Sequence, residues 1–414
     1  MTNNDIVVPK GLNRDHWTLR QNLTFLNHGS FGACPKVVLK AQTEWRRRIE
    51  EQPIVFFTYT YQQALDEARA KLAPFVGSPA SDLAFVANAT TGVNAVLRSW
   101  PLQPGDEIVV TNHGYLACNQ AASYMAKRAG AKVKVAHLPF PLALDEEEAK
   151  QQVIDAVEAV ISDRTVLAII DHITSPTGLV LPIEHIVASL EGRGVATLID
   201  GAHGPGMRAL NLSQLGASFY TGNLHKWVCA PKGAAFLYVR PDWQERIRPA
   251  VLSHGGASLA GHRNAFQRAF DWTGTDDPSP FFCLPTALSF FEQAVEGGWP
   301  AVMNRNRQLA LWAREHLCEA LGQRPLAPAS MIGSLVAVLL EGAWANGRTD
   351  CVEDPLQVLL REKYELEVPI VPFPDFGARL LRVSAQLYNQ PSDYQRLSDA
   401  LKRCLQSGRQ ADTS

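Results

Sequence analysis

Leu198-Ile199-Asp200-Gly201-Ala202-His203, followed by Tyr220-Thr221-Gly222-Asn223-Leu224-His225-Lys226-Trp227, is the stretch whose reading decides the fold. An apolar strand ends in Asp, and a second strand ends in a Lys with polar neighbours. A carboxylate and an amine delivered by successive strands are what a pyridoxal phosphate (PLP) site requires. The lysine holds the aldehyde as an imine, and the aspartate keeps the pyridine nitrogen protonated, so that the ring accepts electrons from a substrate carbanion. A strand-terminal Asp alone is often a cap or turn residue, and a lone Lys is usually solvated. The order of the two on successive strands makes Asp200 and Lys226 the expected catalytic pair.

Outward from this core, residues 107–111 read as a strand, 116–130 as a helix ended by its glycine, 132–136 as a strand, 145–161 as a long helix and 165–171 as a buried strand. A helix near 184–190 and strands at 195–200, 219–221 and 234–239 complete the alternation. It predicts an α/β fold, a mainly parallel sheet covered by helices on both faces. Ligands of such sheets bind beyond the carboxyl ends of the strands, where Asp200 and Lys226 fall. Helical patterns at 287–294, 304–321, 356–364 and 392–404, with strands at 332–340 and 379–384, predict a second, smaller α/β domain. The chain is thus expected to divide into an arm of residues 1–25 packing with the small domain, a large domain of 26–285 and a small domain of 286–414. Residues 253–285 contain Gly255-Gly256, Gly261 and Asp276-Asp277-Pro278 with little periodicity, and are expected to form an extended loop.

A chain of 414 residues with 46% hydrophobic content can bury a large core, and its formal charge of -2 gives no reason to expect nucleic acid or acidic membranes as partners. Met1-Thr2-Asn3-Asn4-Asp5 lacks the basic and then apolar regions of a secretory signal. No run approaches the roughly 18 apolar residues needed to span a bilayer. Cys34, Cys118, Cys229, Cys283, Cys318, Cys351 and Cys404 are scattered without a Cys-x-x-Cys pair, so neither a metal site nor a disulfide framework is indicated. A reducing cytoplasm is the expected compartment.

At this point the sequence resembles the fold-type I PLP enzymes called class V aminotransferases, and within them the isopenicillin N epimerase-like branch. The resemblance runs from Leu26-Asn27-His28-Gly29-Ser30-Phe31-Gly32 to Leu381-Arg382-Val383-Ser384. Its most specific parts are Asn223-Leu224-His225-Lys226-Trp227, followed by Pro231-Lys232-Gly233, and Trp272-Thr273-Gly274-Thr275-Asp276. It implies PLP as cofactor, a large domain with a mainly parallel seven-stranded sheet, a smaller C-terminal domain and a homodimer.

Asn88-Ala89-Thr90-Thr91-Gly92 precedes a helical stretch whose free amides, with two hydroxyls, make an anion site. Taken alone, the stretch is better read as an ordinary Thr N-cap; the resemblance reverses this and assigns Thr90 and Thr91 to the PLP phosphate. It adds His225 and Asn223 as further donors, and Thr275 as a group reaching the phosphate in the neighbouring subunit. His203 takes the place of a residue contacting the phenolic oxygen of PLP, where an imidazole can tune the imine's proton. Ser175 stands where some relatives carry an Asn that reaches the same oxygen. Tyr115, rather than His113, is the ring expected to stack on the pyridine face. Arg382 lies in the apolar run Leu380-Leu381-Arg382-Val383-Ser384, where a charge is costly unless paired. Its fork matches a substrate α-carboxylate, the role the resemblance implies, with a structural salt bridge as the competing account. His28 resembles a substrate-side position.

An amino acid bound to the cofactor loses its α-proton to Lys226, and epimerisation, transamination and elimination share the carbanion that this step produces. A cysteine desulfurase needs a nucleophilic Cys shortly before the carboxylate arginine. Here Glu367-Val368-Pro369-Ile370-Val371-Pro372-Phe373-Pro374 stands instead, and Cys351 lies too far upstream. The leading expectation is an enzyme acting at the α-carbon of an amino acid, of the epimerase or aminotransferase kind. The alternatives are a carbon-sulfur lyase of the hercynylcysteine sulfoxide type and a non-enzymatic PLP-fold binding or regulatory protein. The latter predicts a broken cofactor site or an attached nucleic-acid domain, and neither is visible.

Overall fold

A computed structural model of the chain describes residues 14–256, 264–340, 353–373 and 377–411. Residues 1–13, 257–263 and Cys351, on which some expectations fall, lie outside the described residues. The strands in chain order are β1 (Thr24–Phe25), β2 (Leu83–Val86), β3 (Glu107–Thr111), β4 (Lys132–Ala136), β5 (Thr165–Asp171), β6 (Ala196–Asp200), β7 (Phe219–Asn223), β8 (Ala235–Val239), β9 (Leu335–Leu340), β10 (Leu366–Glu367), β11 (Ile370–Phe373) and β12 (Ala378–Ser384).

Seven of them form one sheet in the order β2-β8-β7-β6-β5-β3-β4. Only β8 runs against its neighbours; the other pairings are parallel. The central strands are continuous apolar runs because helices cover both of their faces, so no alternation survives. β5 and β6 are buried almost throughout, whereas β4, at the edge, carries exposed Lys132 and Lys134 that discourage pairing with another chain. Local chemistry sets the helix ends. Asn88 Oδ1 accepts from the Thr91 amide at the start of Ala89–Ser99, and Gly130, at φ +69°, closes Leu116–Ala129.

β11, β12 and β9 form a separate antiparallel sheet, packed with the helices Gly298–Leu321 and Pro391–Ala411. β1 pairs in parallel with β10, and the Trp17 ring meets Tyr388 edge-on at 5.0 Å between centroids, so the stretch preceding the large sheet is tied to the C-terminal part.

Two expectations are corrected. The region 253–285 is not one extended loop. It contains the helix Ala265–Asp271, capped by Asn264, the short turn Ser279–Phe282 and the start of Leu284–Ala294. Phe266, Ala269 and Phe270 are buried at helical spacing, but two turns among polar neighbours are too short to show as periodicity. Likewise β7 ends at Asn223 and does not reach Lys226. The Leu224 and His225 amides both turn to the Ala234 carbonyl, which closes the loop into β8 and leaves Lys226 beyond the strand end.

Candidate active site

β5 and β6 end side by side, with Asp171 and Asp200 in register, both buried. Asp200 Oδ1 accepts from the Ala202 amide at 3.0 Å and Oδ2 from the Cys118 thiol at 3.1 Å. Burial, and after it the neighbouring Asp200 charge, push the Asp171 carboxyl well above the usual carboxylate range. Asp171 is therefore the member of the pair that keeps its proton.

Lys226 opens on a cavity of about 610 Å³ between the strand ends and the N-terminus of the helix Ala89–Ser99. Its carbonyl is held by the Cys229 amide at 3.1 Å and by His28 Nε2 at 3.0 Å, so the backbone of the lysine is fixed. Its amine lies 3.1 Å from His203 Nε2. Desolvation lowers the amine to about 8, against the pull of Asp200 and with the push of Arg382. His203 is driven well below its ordinary value, first by burial and then by Lys226.

Of the residues expected from sequence, Thr90, Thr91, Tyr115, Ser175, Asp200, His203, Asn223, His225 and Lys226 line this one cavity. The Asn223 side chain braces the helix, its Oδ1 accepting from the Ala89 amide at 2.8 Å. Among the described residues, the Thr90 amide has no intramolecular partner and is open to an anion. His225 Nδ1 donates to the Ala234 carbonyl at 3.1 Å, which uses the one N–H of its neutral ring. It gives a phosphate a second N–H only by taking up a proton. Tyr115 stands half exposed at the cavity, whereas His113 is a core residue, bonded to Thr177 at 2.9 Å and packed on Phe140 and Phe373.

Arg382 is buried behind the cavity wall. Its Nη1 donates to the Ser175 carbonyl at 2.6 Å and to Ser175 Oγ at 3.2 Å, and its Nη2 to Ser30 Oγ at 2.9 Å, while Nε has no partner. No carboxylate among the described residues pairs with it, which rules against the structural salt bridge, and burial pushes it down to about 10. Thr275 is exposed and does not line the cavity; its neighbours Thr273, Gly274 and Asp276 line a second one of about 330 Å³ that shares Ala87, Thr91, Lys232 and Gly233 with the first. His28 requires a correction: it is buried and lies behind Lys226, not on the substrate side. Its Nδ1 accepts from the Tyr388 hydroxyl at 2.7 Å while Nε2–H serves the Lys226 carbonyl, so both ring nitrogens are spent on the scaffold.

Sequence reasoning missed Cys118, Asp171, Trp227 and Lys232. Lys232 lines the cavity and donates to the Gly32 carbonyl at 2.9 Å; the only signal for it was its place in the Pro-Lys-Gly string.

The Aminotransferase class-V family profile matches residues 32–397. The chain belongs to this family. It is 33% identical over 405 residues to an isopenicillin N epimerase of Amycolatopsis lactamdurans, covering 94% of this chain and 97% of that protein. It is 30% identical over 404 residues to a probable chloroplastic L-cysteine desulfhydrase of Arabidopsis thaliana, covering 92% and 83%. In fold it is similar to the cystine C-S lyase C-DES, with a TM-score of 0.76 at 22% identity over 92% of this chain and 97% of that one. The cysteine desulfurase CsdA of Escherichia coli superposes with a TM-score of 0.74 at 19% identity over 98% and 99%. The family makes this class V chain a PLP-dependent enzyme, and the donor set fits the cofactor: a carboxylate and an amine meet at one cavity, with an open helix N-terminus on its wall.

Proposed function

We propose that this PLP enzyme removes the α-proton of an α-amino acid whose carboxylate is held by Arg382, with the Lys226 amine as base. The observation that carries this reading is the buried guanidinium without a counter-anion, close enough to Lys226 to help depress its pKa. A substrate carboxylate supplies the missing charge, and an amine lowered to about 8 is free in roughly a tenth of molecules at pH 7, about 300 times the share of an ordinary lysine. PLP, when bound, supplies the electron sink. Asp200 would serve the pyridine nitrogen, Thr90, Thr91, Asn223 and His225 would hold the phosphate, His203 and Ser175 would meet the phenolic oxygen, and Tyr115 would cover the ring.

For the outcome we favour β-elimination from a cysteine-like amino acid, because it needs one base and a leaving group at the β-carbon. Lys226 is that base, while the Lys232 amine is tied to a backbone carbonyl. The likeness to proteins named L-cysteine desulfhydrase supports it. Epimerisation is the second reading. It needs a proton-carrying group on the other face of the carbanion, for which the exposed Tyr115 phenol is available, and the likeness to isopenicillin N epimerases supports it. Incubation of the PLP-loaded protein with a panel of amino acids in deuterium oxide separates the outcomes. Pyruvate, ammonia and sulfide from L-cysteine mean elimination. Deuterium at the α-carbon without keto acid means epimerisation. Turnover retained in Lys226→Ala sinks the whole reading.

The same proposal takes the chain as a homodimer. Phe31, Ile54, Tyr59 and Leu116 are apolar side chains more than two-thirds exposed, and Thr275 lies off its own cavity. Mixing Lys226→Ala with Thr275→Ala tests it: shared sites predict partial recovery of PLP binding in hybrids.

A further inference from the structure

We propose that Trp227, which does not touch the cavity, is a positioning residue that fixes the tautomer of His203, so that the imidazole presents Nε2–H toward Lys226. The indole nitrogen of Trp227 lies 3.1 Å from His203 Nδ1, and both side chains are buried, at 1% and 2% exposure. An indole N–H only donates, so Nδ1 must offer its lone pair. A neutral imidazole has one N–H, and it is thereby placed on Nε2, 3.1 Å from the Lys226 amine. A hydrogen bond across that gap requires a lone pair on the lysine. An ammonium there sets N–H against N–H.

Trp227 thus biases Lys226 toward the free amine through a second residue. Desolvation of both His203 and Lys226 acts in the same sense, because it disfavours either group's charged form. The indole cannot swing away. It packs with Ile173, Val180, Met207 and Leu335, its ring lies 4.9 Å from that of His28, and a Cβ on Gly206 would meet its backbone at 2.7 Å. The groups facing His203 are therefore Trp227 and Lys226 by hydrogen bond, with the Arg382 charge acting to lower its proton affinity and the neighbouring histidines His28 and His225, both held below their ordinary value, adding to this only in acid. The tautomer follows from the geometry alone; its consequence for catalysis rests on the proposed role of Lys226 as base.

The test is nitrogen-15 NMR of the full-length PLP-loaded protein labelled at histidine, with His203 assigned by its loss in His203→Asn. The expected signal is that of the Nε2-protonated tautomer, unchanged across neutral pH. An Nδ1-protonated or rapidly averaged ring overturns the proposal. In Trp227→Phe the ring is expected to average, and the pH midpoint of the cofactor's visible band to rise by about one unit, a tenfold change in proton affinity. In a His203→Ala background Trp227→Phe should move the midpoint no further, whereas an equal shift there would mean that Trp227 acts without His203 and overturns the proposal. If Trp227→Phe fails to fold, the wild-type tautomer decides. A correct tautomer with an unmoved midpoint in folded Trp227→Phe would instead count against the reading of His203 and Lys226 at the cofactor.

Discussion

Cys118 donates its thiol to Asp200 Oδ2 at 3.1 Å, joining the helix Leu116–Ala129 to the carboxylate that ends β6. Burial, followed by the Asp200 charge, raises the thiol so far that it remains S–H at any ordinary pH. Among the described residues it is one of two donors on Asp200, the other being the Ala202 amide. Cys118→Ala therefore leaves a buried carboxylate short of a partner, at a cost of about 1–2 kcal/mol. We expect a lower urea midpoint and a roughly tenfold fall in kcat/KM, with most of both restored in Cys118→Ser. Unchanged values in Cys118→Ala would show that the thiol contributes nothing to Asp200.

Arg382→Met removes a buried cation that no carboxylate among the described residues neutralises. Because that charge is uncompensated, its loss should leave the urea midpoint unchanged or raised. The same change should raise KM about 30–100-fold, the roughly 2–3 kcal/mol of a charge-assisted carboxylate contact, with a smaller effect on kcat. A normal KM combined with a lowered midpoint would make Arg382 a structural residue.

Two glycines beside the site are required by one ring. A Cβ on Gly204 would meet Tyr220 Oη at 2.0 Å, and a Cβ on Gly201 would meet Tyr220 Cζ at 2.0 Å. Either alanine substitution should destabilise by about 1–3 kcal/mol or more as an overpacked core. Tyr220→Phe removes the atom that blocks Gly204→Ala but not the atoms that block Gly201→Ala. It also forfeits the 2.9 Å bond to His172, about 1 kcal/mol. Thermal unfolding of the two double variants should therefore show rescue of Gly204→Ala only.

Buried histidines predict an acid-sensitive fold. Burial holds His28 and His172 at about 3, well under the ordinary 6.5. The unfolded chain thus binds protons first. Stability from these groups is complete above pH 6.5, falls as the pH drops toward 3, and is then exhausted. The slope is at most about 1.4 kcal/mol per pH unit for each histidine. Urea midpoints measured from pH 7.5 to 4.5 should fall, and more shallowly in His172→Gln; an identical slope in that variant would refute the account.

Asp200 was legible because it sits where a strand pattern stops, and Lys226 by its place soon after the next strand, although β7 ends at Asn223 short of it; the parallel sheet followed from apolar runs too continuous to alternate. Thr90 and Thr91 were assigned to the phosphate by the family resemblance, since cap chemistry alone spoke for an ordinary Thr N-cap, and the cap is in fact Asn88. Partnerships between distant elements were not. Cys118 meets Asp200 across 82 positions, and an isolated Cys in a helical pattern carries no sign of an acceptor so far along the chain. His28 was misread because a histidine near a motif looks the same whether it faces the substrate or, as here, the carbonyl of the catalytic lysine. Asp171 ends its strand as Asp200 does, but only the register of β5 on β6 makes the two a pair.

That pairing sets the last prediction. Burial and the adjacent Asp200 raise the Asp171 carboxyl, so it folds in the protonated form. A raised folded value means that its contribution is complete below the unfolded 3.8 and is lost as the pH climbs through the folded value. Asp171→Asn replaces a neutral acid by a neutral amide that still accepts from the Tyr115 amide and cannot ionise. It should retain activity within about threefold and be as stable as the native chain or more so at pH 8, since a tenfold change is worth about 1.4 kcal/mol. Asp200→Asn, by contrast, removes the charge that serves the pyridine nitrogen, and should lose at least about a hundredfold in kcat, or roughly 2.7 kcal/mol. Equal losses in the two variants would mean that the negative charge is shared between the carboxylates, and would remove the distinction between them.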